Sequence, residues 1–129
     1  MKILVTGGSG FIGSHVVEHY QDRAEVVVLD DLRSGHRKNL AGLKCRFVEG
    51  SVLDRAVVDE VMEGVDFVFH LAALVSVPES MSLPGETVNI NVHGLLHVLE
   101  SARAHGVKKL CFASSAAVYG ENPVQPKVE

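Results

Sequence analysis

The sequence is short of cysteine, of net basic charge and of long apolar runs, and each shortage excludes something. Two cysteines stand among 129 residues, Cys45 and Cys111, with no framework spacing. A disulfide-stapled secreted scaffold is thereby excluded. Each cysteine lies inside a short apolar run that reads as a buried strand, and two buried thiols suit a reducing cytoplasm. Sixteen acidic residues against twelve Lys and Arg leave a formal net charge of -4. That balance lacks the broad basic surface that nucleic acid or anionic lipid demands, so neither nucleic acid nor membrane is an expected partner. The densest basic stretch, Arg33 to Lys38, is short and reads as a loop. The apolar run Ile3-Leu4-Val5 stops at Thr6-Gly7, too short for a signal-peptide core or a membrane span. Internal repeats and low-complexity segments are also missing. What remains is 47% hydrophobic and 22% charged, the composition of one globular domain with a sizeable core.

Along the chain, short β-rich runs alternate with helical stretches. Lys2 to Val5, Glu25 to Leu29, Arg46 to Val48, Asp66 to Leu71 and Lys108 to Ala113 read as five strands. The nearly continuous valine and leucine of Glu25–Leu29 marks a strand covered on both faces, as in a parallel sheet. Phe11 to Tyr20 fits a helix entered through Gly13-Ser14. Arg55 to Met62 fits another, with Asp54 as N-cap, and Glu86 to His105 a long one closed by Gly106. Strand, helix, strand, repeated, predicts an α/β fold. The expected form is a Rossmann-type doubly wound parallel sheet of strand order 3-2-1-4-5. After Ser114 the pattern stops, and the tail Gly120-Glu121-Asn122-Pro123-Val124-Gln125-Pro126 reads as a polar loop. Such a domain ordinarily continues with a further helix. Residues 1–129 are therefore expected to be an incomplete nucleotide-binding domain, truncated after the fifth strand. Apolar surface on strands four and five and on the 86–105 helix is then expected to lie open to another chain or segment.

Chemistry concentrates in Thr6-Gly7-Gly8-Ser9-Gly10-Phe11-Ile12-Gly13, a G-x-x-G-x-x-G between a strand and a helix. Gly7 permits the tight turn, Gly10 lets the backbone approach a pyrophosphate, and Gly13 lets the helix pack on the strand. The helix N-terminus offers unsatisfied N–H groups and a positive dipole end to phosphates. Asp30 ends the second strand 17 residues after Gly13. There a carboxylate bonds the adenosine ribose hydroxyls and repels a 2′-phosphate, favouring NAD over NADP. Arg33 and Arg37 stand nearby, and an arginine can receive that phosphate. Asp30 carries more weight because a strand end fixes its position.

Further stretches follow in order: Asp30-Asp31-Leu32-Arg33-Ser34-Gly35-His36, His70-Leu71-Ala72-Ala73, Asn91-Val92-His93-Gly94 and Ser114-Ser115-Ala116-Ala117-Val118-Tyr119-Gly120. Together with the glycine loop they resemble the extended short-chain dehydrogenase/reductases, most of all nucleotide-sugar epimerases of the UDP-glucose 4-epimerase type. By position, the resemblance implies that Gly7, Gly10, Phe11 and Ile12 surround the pyrophosphate of NAD. Asp30 would hold the ribose, with Asp31, Leu32, Ser34 and Gly35 lining the adenosine side. Ser51 and Val52 would lie along the adenine, Ser51 standing where the family usually has aspartate. Leu71, Ala72 and Ala73 would border the nicotinamide ribose, Val75 stands where some epimerases place lysine, and Asn91 would anchor the helix beside the cofactor.

Ser115 matches the family's catalytic Ser/Thr, whose hydroxyl bonds the sugar oxygen as hydride leaves for the nicotinamide. Apart from the family, Ser114 and Ser115 end a strand, and carboxyl ends of strands bind ligands in this architecture. The alternative is a serine capping the next turn. The family's general base, a tyrosine in Y-x-x-x-K, has no match: Tyr20 is followed four residues later by Ala24, and Tyr119 by Pro123.

The resemblance thus implies the NAD-binding portion of a UDP-hexose 4-epimerase, acting by transient C4 oxidation and hydride return. The catalytic Tyr/Lys segment and the substrate domain would lie outside it, leaving this portion inactive alone. A UDP-sugar would be the substrate and a homodimer the assembly. Val75-Ser76-Val77-Pro78-Glu79-Ser80 resembles the epimerases' substrate-side loop. A nucleotide-sugar 4,6-dehydratase or UDP-glucuronate decarboxylase is the alternative. Ala116 and Ala117 count against it, because those enzymes tend to place acidic residues there. A non-catalytic NAD-binding module, complete at this length, is the reading from another class. No metal is expected. His15-Val16-Val17-Glu18-His19 spells H-x-x-E-H, but on the helix after the phosphate loop it reads as two surface histidines. His93 and His97, four apart, lack a further ligand, and His70 at a strand end reads as a satisfied structural residue, with a cofactor-side contact as the alternative.

Overall fold

A computed structural model describes residues 1–121 and 126. Five strands, β1 (Lys2–Thr6), β2 (Glu25–Asp30), β3 (Arg46–Glu49), β4 (Phe67–His70) and β5 (Lys109–Phe112), form one sheet. All pairings are parallel, in the order β3-β2-β1-β4-β5. This is the expected doubly wound topology, and it follows from the two-faced character of the central strands. Ile3, Val5, Val26 and Val28 share one face and pack with Val17 of α1 (Phe11–Tyr20) and Leu40. Leu4, Val27 and Leu29 share the other. They pack with Val58, Val61 and Met62 of α2 (Arg55–Met62) and with Val98 and Ala102 of α5 (Leu95–Ala104). Each fully buried Val or Leu contributes about 1.5–3 kcal/mol of burial free energy, so the sheet centre dominates the stability.

Helix starts follow their caps. Asp54 accepts from the backbone N–H of Ala56 at 3.1 Å and of Val57 at 3.3 Å, as its position before α2 predicts. α1 begins at Phe11 with Gly10 as N-cap, so Gly13 and Ser14 lie within its first turn and not at its mouth.

Elsewhere the structure departs from the pattern. The helix expected over 86–105 is α4 (Pro84–Val88), a π-helical turn (Asn89–Gly94) and α5 in succession. Apolar periodicity cannot distinguish a widened turn from a regular one, because both keep the same face inward. Val77–Ser82, expected as part of a loop, is a short helix, α3, capped by Ser76, whose Oγ accepts from the Glu79 N–H at 3.3 Å. The basic stretch holds a 3₁₀ turn, Arg37–Leu40.

The cysteines are also placed differently. Cys111 is exposed on β5, and Cys45 is half-buried just before β3. Among the described residues β5 pairs only with β4 and forms the sheet edge, so its side chains lack the two-sided cover of β1 and β2. Phe112 on β5 is exposed, as are Val88, Val92, Leu96 and Leu99 along the α4–α5 helical run. β4, expected to be open as well, has Val68 and His70 buried.

Candidate dinucleotide site at the carboxyl edge of the sheet

The glycine loop leaves β1 at the sheet centre, between β2 and β4. Gly7 has φ +71°, and a Cβ there would stand 2.7 Å from the Ala72 backbone nitrogen. Only glycine tolerates both the left-handed backbone and that crowding. Gly13 has ordinary φ, but a Cβ would lie 2.2 Å from the Gly7 carbonyl oxygen, so α1 reaches the loop only because Gly13 lacks a side chain. The helix start itself is bare. Gly10 supplies no side-chain cap, the first turn holds no acidic residue, and Phe11 and Ile12 are exposed at 79% and 63%. The first N–H groups of a helix have no intrahelical acceptor, and here no side chain of the cap supplies one. A phosphate fits that end in charge and in hydrogen-bonding type.

Asp30 is buried at the end of β2 and clamps two turns at once. Its Oδ2 accepts from the Ser9 N–H and its Oδ1 from the Leu32 N–H, both at 2.8 Å. Leu32 has φ +60°, an unfavourable conformation for a γ-branched side chain, and the Asp30 bond helps hold it there. Ser9, which the glycine pattern alone did not single out, is the hub of this corner. Its carbonyl accepts from the His36 N–H at 3.0 Å and from Asn39 Nδ2 at 2.8 Å, while Gly35 packs directly on it. The Ser9 Oγ is buried with no hydrogen-bond partner among the described residues. Asp31 and Ser34 are exposed on the same loop.

The opposite wall follows β4. Thr6 Oγ1 lies 2.8 Å from His70 Nδ1 and 3.3 Å from the N–H groups of Leu71 and Ala72. The hydroxyl accepts from the amides and gives its own proton to Nδ1, which leaves the ring proton on Nε2. Burial lowers the His70 pKa to about 4, so the ring is neutral, the structural role expected of it. Asn91, in the π turn, pairs with the backbone of Leu74 in both directions, which pins the chain just after Leu71–Ala73.

Other expected residues fall less directly on the site. Ser51 is half-buried and its Oγ accepts from the Leu53 N–H at 3.2 Å. The Val52 side chain is buried in the core against Gly94, so its backbone is the part left for a ligand. Ser115 is exposed beyond β5, and its Oγ accepts from the Ala117 N–H at 3.2 Å, capping a 3₁₀ turn (Ala116–Tyr119). The hydroxyl proton is free of that bond. His15 and His19 are exposed and bond within their own helix region, to the Phe11 carbonyl and to Arg23. His93 bonds Asn89, and His97 lies 3.2 Å from the Val52 carbonyl. Asn122, Pro123, Val124 and Gln125 of the expected tail loop lie outside the described residues.

The two arginines near Asp30 are both engaged. Arg37 lies over the Phe47 ring at 4.5 Å. Arg33 bonds Glu86 of α4 and, at 2.8 Å, Glu79 of α3. The two carboxylates raise the Arg33 pKa further, Glu86 first, and Arg33 in turn lowers that of Glu86.

The family model described as NAD dependent epimerase/dehydratase matches residues 3–129. A UDP-glucose 4-epimerase of Klebsiella pneumoniae is 42% identical over 138 residues, which cover 100% of this chain and 99% of that one. The Haemophilus influenzae UDP-glucose 4-epimerase is 41% identical, covering 100% of this chain and 41% of its own length. The solved Thermus thermophilus UDP-glucose 4-epimerase, in complex with NAD, superposes with TM-score 0.90 at 41% identity, over 100% of this chain and 42% of that one. The chain therefore spans about two fifths of the length of these last two relatives.

Proposed function

The chain belongs to the NAD dependent epimerase/dehydratase family, and from that membership we propose that it is the NAD-holding portion of a UDP-hexose 4-epimerase. The observation that carries this is the loop itself. It presents a helix start without side-chain cap or acidic residue, exposed at Phe11 and Ile12, beside a buried carboxylate, Asp30, at the next strand end. In this reading Gly7, Gly10, Phe11 and Ile12 receive the pyrophosphate. Asp30 binds the adenosine ribose through lone pairs not used by Ser9 and Leu32, with Asp31, Leu32, Ser34 and Gly35 beside it. Ser51 and the Val52 backbone flank the adenine. Leu71, Ala72 and Ala73, held by Thr6 and Asn91, border the nicotinamide ribose. When bound, NAD supplies the hydride acceptor and donor for C4 of the sugar. Ser115 donates its free hydroxyl proton toward the sugar oxygen and thereby orients it.

The general base and most of the sugar-nucleotide pocket belong, in this reading, to the length of the relatives that this chain does not span. The exposed stripe Val88, Val92, Leu96 and Leu99 suits a homodimer contact. Two free cysteines suit the cytoplasm, and among the described residues no helix is long and apolar enough to cross a membrane. The decisive experiment supplies UDP-galactose and NAD to the full-length protein and follows UDP-glucose. Formation of UDP-glucose is expected, and its absence with NAD demonstrably bound would overturn the epimerase assignment.

A further inference from the structure

Arg33 follows Asp30 by three residues, on the loop that the NAD reading assigns to the adenosine ribose. An arginine there is the side chain that ordinarily receives the 2′-phosphate of NADP. Here its guanidinium is committed elsewhere. Glu79 and Glu86 reach it from α3 and α4, 46 and 53 residues further along the chain. Those helices follow β4, whereas Arg33 follows β2, and β1 lies between the two strands. The ion cluster therefore joins the two walls on either side of the phosphate loop and holds Arg33 toward the β4 side. Two carboxylates meet one guanidinium, so the cluster carries a net negative charge. A phosphate reaching the N–H donors that the two carboxylates leave unused would still face both carboxylates at close range. Arg37, the other arginine of this region, lies over the Phe47 ring.

We infer that Glu79 and Glu86 are cofactor-selectivity residues that act through Arg33: by holding its guanidinium they deny a 2′-phosphate its counter-ion. They supplement Asp30, whose carboxylate repels the same phosphate directly. Both glutamates bond Arg33 and act through it, which makes them positioning residues. The inference rests on the NAD reading of the Gly7–Gly13 loop.

The test is the ratio of NADPH to NADH affinity in the cofactor-free full-length protein, read from nicotinamide fluorescence on binding. Five proteins are compared: the unsubstituted one, D30S, D30S/E79A/E86A, D30S/R33A/E79A/E86A, and E79A/E86A with Asp30 in place. The last covers the case in which loss of the Asp30 carboxylate unfolds the phosphate loop. Release of Arg33 is expected to raise the ratio about tenfold, the size of one charge-assisted hydrogen bond to phosphate. Removal of Arg33 is expected to cancel the gain. An unchanged ratio on removing both glutamates would overturn the inference. So would a gain that persists without Arg33, since it would then reflect overall charge. Failure of the unsubstituted protein to bind NADH would overturn the NAD reading itself, a result distinct from either.

Discussion

Asn91 and Leu74 exchange two hydrogen bonds across seventeen residues. Asn91 Nδ2 donates to the Leu74 carbonyl at 3.0 Å, and its Oδ1 accepts from the Leu74 N–H at 2.8 Å. Leu74 is buried, so these backbone groups have little water to fall back on. The widened turn Asn89–Gly94 brings Asn91 to this place, and Gly94 lets that turn close on Val52. Asn91→Ala is expected to cost about 1–3 kcal/mol of stability by orphaning both groups. Urea unfolding checks the value. Asn91→Asp is expected to fare poorly too, since a carboxylate cannot donate to the Leu74 carbonyl.

The glycine loop separates packing from binding. Gly13→Ala drives a methyl group to 2.2 Å from the Gly7 oxygen and is expected to cost about 3 kcal/mol or more. Gly10→Ala meets that same oxygen at 3.3 Å with φ −75°, so the fold should hold. Its loss should appear in cofactor affinity, about tenfold or more, because the methyl group occupies the approach to the phosphates. Thermal melts and NADH titration of the two variants check the contrast. A Gly10→Ala protein that binds NADH normally would remove Gly10 from the site.

Stability should depend on pH through His70. The folded ring titrates at about 4, below the ordinary 6.5, because burial disfavours its charge. Unfolding therefore takes up a proton between those values. The contribution is complete above about pH 6.5 and is lost as pH falls toward 4, amounting to about 3 kcal/mol. His70→Asn is expected to flatten the acid limb of the stability curve measured by urea titration at successive pH values.

Ser115→Ala tests the proton-donating role. In the full-length protein kcat is expected to fall about 100-fold while NADH affinity stays within about twofold. Loss of the cap on Ala117 costs only about 1 kcal/mol, because the turn is exposed. A small change in kcat would leave Ser115 as a capping residue.

Much of this was legible in the residues. The alternation of valine-rich runs with helical stretches set the strand order, since a strand apolar on both faces must be covered on both. The spacing of Gly7, Gly10 and Gly13 and the placing of Asp30 and Asp54 followed from local backbone and capping chemistry. The family-matched positions gave Asn91 and Ser115 as candidates, without their partners. What local pattern could not carry was contact between distant segments. Ser9 reads as an ordinary loop serine until Asp30, His36, Asn39 and Gly35 converge on it. Leu32 gives no sign of its positive φ, and the π turn at Asn91 keeps the periodicity of a plain helix. Cys111 looks like a core residue because an edge strand and a central strand are written in the same alphabet.

The sequence by itself determined the five strands, their parallel order and a loop competent for a dinucleotide, because each depends on residues a few positions apart. Only the tertiary structure decided how that loop is buttressed and where the nearby charge goes. Arg33 could have served a 2′-phosphate as far as its neighbours tell. Its commitment to Glu79 and Glu86 exists because folding brings the segments after β2 and β4 together, and an ion pair forms by distance in space, whatever the separation along the chain.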